Sequence, residues 1–226
     1  MTGPEISERI AARFTANLKE DWEEHGFGWL FTERYFYRAI ALALGEREWT
    51  LPSGFTPRSQ RVAAEFPIPQ PTKGRRSGGG RPPNVDLAVV HSNHARRHAV
   101  RATKAAAEVQ WQAAVEVKWA SNVTAPTREA INGDLSRLVR LRSGAFYKGT
   151  NGVEYAAFVL AGQRASVRGA AASSGSLGMM VGENRQFRHA PFKQSWKSIL
   201  DAEKEYGPFL IRVYRIERGG NGTRVS

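Results

Sequence analysis

Apolar residues at Ile6, Ile10, Phe14 and Leu18 recur every four positions with charged residues between them, which predicts an amphipathic helix over residues 5–24. After the Gly-containing break His25-Gly26-Phe27-Gly28, Thr32 offers an N-cap and Gly45 a stop. Residues 33–44 therefore read as a second helix, apolar enough to be mostly buried. Glu33 falls in its first turn, where the helix dipole favours an acid. The short apolar stretch from Arg61 to Pro67 suits a strand, as do Val85 to Val90 and Ala113 to Trp119. Residues 126–142 carry Ile131, Leu135, Leu138, Val139 and Leu141 and read as a helix. Tyr155 to Ala161 reads as an apolar strand ending at Gly162. The segment 165–182 is rich in Gly, Ala and Ser without an acid, and reads as loop. A short helix over 195–205 and a strand from Phe209 to Arg215 follow.

Two stretches interrupt this pattern. Residues 70–83, rich in proline, glycine and base, read as a linker or flexible loop. Residues 91–110 are basic and Ala-rich and read as a helical insertion. The order helix, strand, strand, strand, helix, strand, with helical additions before and a helix–strand after, predicts an α/β fold. A mixed central sheet flanked by helices, in one domain over residues 1–226, is the expectation. There is no internal repeat.

Composition narrows the chemistry. The 226 residues include no cysteine, which excludes a disulfide framework, Cys-ligated zinc, an iron–sulfur cluster and a thiolate nucleophile. The longest purely aliphatic stretch, Ala39 to Leu44, is far below the roughly 20 residues of a membrane span. Glu5, Glu8, Arg9 and Arg13 give the first residues a charge pattern unlike a signal peptide. A soluble, cytoplasmic protein with no membrane partner is expected.

Charge is unevenly placed. The chain carries a formal +12, yet residues 1–48 hold nine acids and six bases, a net of −3, which leaves +15 for the rest. Between Glu65 and Glu108 stand eight bases, Lys73, Arg75, Arg76, Arg81, Arg96, Arg97, Arg101 and Lys104, and a single acid, Asp86. Arg outnumbers Lys by 25 to 8, and a guanidinium fork binds two phosphate oxygens at once. A polyanionic partner, nucleic acid, is the expectation, with those eight residues holding its backbone. Arg-rich composition in a protein that binds no polyanion is the other reading of the same figures.

The informative segment is Val115-Glu116-Val117-Lys118-Trp119. On a strand, Glu116 and Lys118 share one face while Val115, Val117 and Trp119 share the other. In Val85 to Val90 the same alternation sets Asp86 against Val85, Leu87 and Val89. Interior strands rarely carry unpaired charge, because desolvation is expensive. Asp86, Glu116 and Lys118 are therefore expected to meet at one edge of the sheet. Two carboxylates suit a hard divalent cation such as Mg²⁺, with Mn²⁺ as a substitute, and the main-chain carbonyl of Val117 can complete the set. Lys118 would orient or deprotonate a water or neutralise a transition state; the sequence does not choose. The plainer reading is an isolated Glu-x-Lys surface pair and an Asp86 that closes a turn.

This arrangement resembles the PD-(D/E)XK nuclease superfamily, the restriction-endonuclease-like proteins. The resemblance rests on Glu33 in a helix, a strand, Asn84-Val85-Asp86-Leu87, Val115-Glu116-Val117-Lys118, then a helix and a strand, over about residues 30–162. It implies an αβββαβ core and Mg²⁺-dependent hydrolysis of phosphodiester bonds, in DNA more than RNA. It implies catalytic roles for Asp86, Glu116 and Lys118, with Glu33 as the additional first-helix acid at the metal. It also implies a bacterial or phage setting, where a homodimer would suit cutting both strands. Val85 stands where the family often has proline, and the stretch 91–110 is longer than a hairpin. Asp134 and Arg137 resemble polar residues that related nucleases aim at the site, but one turn apart on a helix they read as a surface ion pair.

Other signals are weaker. His94 and His98 could share a helix face as zinc ligands, though a basic face touching phosphate fits them better. The run from Lys73 to Arg81 lacks the ending of a phosphate-binding P-loop, and is a linker or an arm reaching a backbone. Trp111 and Trp119 could stack on a base, and packing is the safer reading.

Overall fold

The computed structural model describes residues 1–25, 33–50, 56, 58, 60–68, 84–91, 110–121, 126–144, 152–189 and 194–219. Helix α1 (Gly3–His25) comes first, and a 3-10 turn (Glu33–Phe36) runs into α2 (Tyr37–Gly45). Strands β1 (Gln60–Pro67), β2 (Asn84–His91) and β3 (Gln110–Ala120) follow, then α3 (Arg128–Arg142), β4 (Tyr155–Gln163) and α4 (Arg164–Ser174). The last elements are β5 (Asn184–His189), β6 (Gln194–Tyr206) and β7 (Phe209–Arg218).

Among the described residues seven strands form one mixed sheet in the order β1-β2-β3-β4-β7-β6-β5. β1, β2 and β3 pair antiparallel, β3 and β4 parallel, and β4, β7, β6 and β5 antiparallel again. The parallel pair β3–β4 needs a crossover, and α3 supplies it. The Thr127 hydroxyl caps that helix by accepting from the Ala130 N–H at 3.2 Å.

The helices cover both faces. On one, the four-residue stripe of α1 (Ile6, Ile10, Phe14, Leu18) packs with Ile40 and Leu44 of α2 onto Leu87, Val115, Val117 and Val159. Phe14 stacks on Phe36 with ring centres 3.7 Å apart. On the other, Ile131, Leu135 and Leu138 of α3 and Val167 and Ala171 of α4 pack onto Ala114, Phe158 and Leu160. Burying each large side chain contributes about 1.5–3 kcal/mol, so these two layers supply most of the driving force. Among the described residues no helix is long and apolar enough to cross a membrane.

Two expectations are overturned. Residues 164–174, within the stretch expected to be loop, form α4. Its alanines favour helix, Val167 and Ala171 one turn apart bury against the sheet, and Gly175 at φ +68° ends it. Residues 195–205, expected to be helix, lie in strand β6. The register against β7 shifts between Leu200 and Ala202, so Asp201 is an extra residue. Trp196 and Leu200, before the bulge, share one face of the strand and also stand four residues apart, the spacing of a helical turn, while Ala202 beyond it packs on the opposite face. The elements after α4 are thus a three-strand meander rather than a helix and a strand. Residues 70–83 lie outside the described residues, as does the expected insertion apart from the strand ends at 91 and 110.

Candidate functional site

The ladder between β2 and β3 stops at Leu87 and Val115. Asp86, one residue further, takes the next backbone donor itself: Val117 N–H donates to its Oδ2 at 2.7 Å. The Tyr37 hydroxyl donates to Oδ1 at 2.7 Å. One carboxylate therefore joins α2, β2 and β3 where the two strands part. Tyr37 lies one turn after Glu33, and the sequence reading missed it; that four-residue spacing was its signal. Burial, then the Asp86 charge and hydrogen bond, push the Tyr37 hydroxyl far above the ordinary phenol range, so it stays a donor.

The simple alternation expected around Asp86 does not hold. Val85 packs in the same cluster as Ala88 and Val90, under α3, while Leu87 and Val89 face α1 and α2. The chain opposite is irregular: β1 pairs through Ala64–Leu87 and Phe66–Val85, and Glu65 between them sits at φ +48°. Asp86 is freed from a fixed face, which lets it reach both Tyr37 and the β3 backbone.

On β3 the alternation holds. Glu116 and Lys118 point toward α3 and meet the two residues that the sequence reading left on the helix surface. Glu116 is 1% exposed, and Arg137 Nε–H donates to its Oε1 at 2.6 Å. Its Oε2 has no hydrogen-bond partner among the described residues. Burial pushes the Glu116 carboxyl well above the usual carboxylate range, and the Arg137 hydrogen bond only partly offsets this. Lys118 Nζ stands 3.1 Å from Asp134 Oδ2 and 3.4 Å from Glu33 Oε1. Burial alone would lower the lysine, but Asp134, Glu33 and Asp86 outweigh it and raise it, so Lys118 is an ammonium. Glu33 also accepts from the Trp119 N–H at 3.4 Å, and burial lifts its carboxyl more than Lys118 lowers it.

Asp134 and Arg137 are thus not a surface pair. Asp134 is 3% exposed, pairs with Arg137 as well as Lys118, and is raised by burial. The i, i+3 spacing was legible; that it faces the sheet depends on how α3 lies across β3. Trp119 is packing material, stacked on Phe36 at 5.2 Å, and Trp111 packs on Phe66.

The structure brings Glu33, Asp86, Glu116 and Lys118 into one cluster with Tyr37, Asp134 and Arg137. Four carboxylates and two cations leave it formally −2 when all are ionised. The donor set suits a divalent cation. Glu116 has a buried oxygen without a partner, and Asp86 lies one register step from the last β2–β3 pair. The Val117 carbonyl leaves β3 on the same side as its N–H, toward Asp86. Among the described residues no three His, Asp or Glu side chains converge as a ready-made metal cage. Two carboxylates, a main-chain oxygen and water are the sparse ligation that Mg²⁺ accepts. The expected nucleic-acid contacts Lys73, Arg75, Arg76, Arg81, Arg96, Arg97, Arg101 and Lys104 lie outside the described residues, as do His94, His98 and Thr32.

Comparison with protein-family models, curated proteins and solved structures finds no match to this chain.

Proposed function

We propose that this chain is a divalent-metal-dependent nuclease that hydrolyses phosphodiester bonds, with DNA as its preferred substrate and a core of the PD-(D/E)XK kind. The observation that carries the reading is the Glu116 carboxylate: buried, with Oε2 unpartnered among the described residues, two positions before Lys118 and one strand away from Asp86. The succession α2, β1, β2, β3, α3, β4, with β4 parallel to β3, is the element order such a core requires.

Asp86 and Glu116, with the Val117 carbonyl, would hold Mg²⁺ or Mn²⁺, and Glu33 would support the site through Lys118. The cation would make hydroxide available near neutral pH and offset charge on the phosphoryl oxygens. Tyr37 fixes the Asp86 rotamer by donating to Oδ1. Glu33 and Asp134 hold the Lys118 ammonium, which would then neutralise the transition state rather than remove a proton. A homodimer would suit cutting of both strands.

The second reading is a nucleic-acid-binding protein of the same architecture without activity. It is favoured by the ion pairs Arg137–Glu116 and Lys118–Asp134, which already neutralise two of the carboxylates. Plasmid DNA incubated with the protein in Mg²⁺ or EDTA separates the two. Metal-dependent nicking, lost in Asp86→Ala, Glu116→Gln and Lys118→Met while DNA binding persists, supports the nuclease. Binding without cleavage under any divalent metal supports the second reading.

A further inference from the structure

Glu33, Lys118, Asp134, Arg137 and Glu116 form an unbroken chain of alternating charge. Lys118 Nζ stands 3.4 Å from Glu33 Oε1 and 3.1 Å from Asp134 Oδ2. A terminal nitrogen of Arg137 donates to the other Asp134 oxygen, Oδ1, and its Nε–H donates to Glu116 Oε1 at 2.6 Å. The Arg137 guanidinium thus bridges two carboxylates, of Glu116 and Asp134, that are 1% and 3% exposed. Asp86 stands outside this chain, held by two neutral donors, the Tyr37 hydroxyl and the Val117 N–H.

Catalytic sites with two metals set them roughly 3.5–4 Å apart, close enough for one carboxylate to ligate both. In this cluster the shared ligand would be Glu116, and the further acids would be Asp134 and Glu33. Arg137 and Lys118 already hold those acids. Charge gives the same answer. With its four carboxylates ionised and its two bases charged the cluster stands at −2, so one divalent cation neutralises it and two would leave an uncompensated +2. Excess charge among buried groups is costly. We propose that Asp134 and Arg137 are positioning residues that restrict this site to a single divalent cation, with the guanidinium standing where a second would bind. The inference rests on the nuclease reading for its cation, and it adds the number bound and the residues that set it.

Mn²⁺ is titrated into the full chain without nucleic acid, with binding followed by calorimetry and the free ion counted by its paramagnetic resonance signal. The sites counted are those lost in Glu116→Gln. The wild type is expected to bind one Mn²⁺ per chain. Arg137→Met vacates the place of the guanidinium and raises the count to two, whereas Arg137→Lys keeps the charge and restores one. Adding Asp134→Asn to Arg137→Met takes a ligand from the new site and returns the count to one. Arg137→Gln keeps a hydrogen-bond donor for Glu116 and guards against a folding defect in Arg137→Met; it too binds two. If Arg137 only ties α3 to the sheet, its variants lose stability while the count stays at one, and the inference is overturned with the nuclease reading intact. Two Mn²⁺ on the wild type, or loss of the first cation from a folded Arg137→Gln, overturns it likewise. If the wild type binds no Mn²⁺, the nuclease reading falls and takes this inference with it.

Discussion

Arg137 Nε–H donates to Glu116 Oε1 at 2.6 Å, joining helix α3 to the middle strand of the motif region. This contact makes the Glu116 carboxylate tolerable in a buried position, and the second oxygen has no hydrogen-bond partner among the described residues. Removing Arg137 strands a buried acid. Arg137→Met is expected to destabilise the metal-free protein by about 3 kcal/mol, the low end for breaking a buried pair because Arg137 keeps part of its surface in water. Urea denaturation measures it. A loss below about 0.5 kcal/mol would show that the pair contributes no more than a surface ion pair.

Glu116 also sets a pH dependence. Its folded carboxyl is raised well above the ordinary carboxylate value of 4.5 by burial, so the protonated form is the one that folding favours. The resulting stability is fully present below the unfolded value and is lost as pH rises through the folded one. Glu33 and Asp134 are raised too and act in the same direction. In EDTA, the melting temperature of Glu116→Gln relative to wild type should therefore climb as pH increases from about 4.5 toward neutrality. Mg²⁺ at neutral pH should raise the melting temperature of the wild type and leave that of Glu116→Gln unchanged. A constant offset at every pH refutes the buried-acid account.

Tyr37 and Asp86 make a separate prediction. Tyr37→Phe removes one neutral donor to a carboxylate and is expected to cost about 1 kcal/mol, with slower DNA cleavage but unchanged DNA affinity. Asp86→Ala also strips the Val117 N–H of its acceptor and should cost about 2–3 kcal/mol. Chemical denaturation of both variants gives the comparison, and equal losses would mean that the Val117 contact has no weight.

Lys118 is raised above its ordinary value of 10.5 by three carboxylates despite burial. It keeps its proton through the neutral and mildly alkaline range. Cleavage by the wild type should therefore show no rise attributable to lysine deprotonation on approach to pH 10.5, and Lys118→Met should lower the rate at every pH without reshaping the profile. A rate that climbs toward that value in the wild type alone would make Lys118 a general base.

Asp201, the extra residue of the β6 bulge, is tied to Arg215 at 2.6 Å and to the Ser7 hydroxyl at 3.0 Å. It thereby fastens α1 to the C-terminal meander. Asp201→Ala should cost about 3 kcal/mol, or roughly 6–12 °C in melting temperature for a domain of this size, with DNA affinity intact. Calorimetry and a binding isotherm together check it.

Local pattern was enough to mark α1, α2, α3 and the strands β1 to β4 and β7, because the helices repeat their apolar residues at one spacing and the strands are short apolar runs. It was enough as well to single out Glu33, Asp86, Glu116 and Lys118, since charges in otherwise apolar strands and at a helix start stand out. It misread β6, where Trp196 and Leu200 on one face of the strand also stand one helical turn apart, and α4, whose small residues carry little hydrophobic signal. For the other members of the site the spacing was legible but its meaning was not. Asp134 and Arg137 have the same i, i+3 spacing whether they face water or β3, and only the placement of α3 across the sheet decides between them. Tyr37 became a partner of Asp86 because the β2–β3 ladder stops one residue short and leaves the carboxylate free to reach it. Periodicity is a property of neighbours along the chain, whereas burial of a charge depends on what folds over it; the first is written in the sequence and the second exists only once the layers have packed.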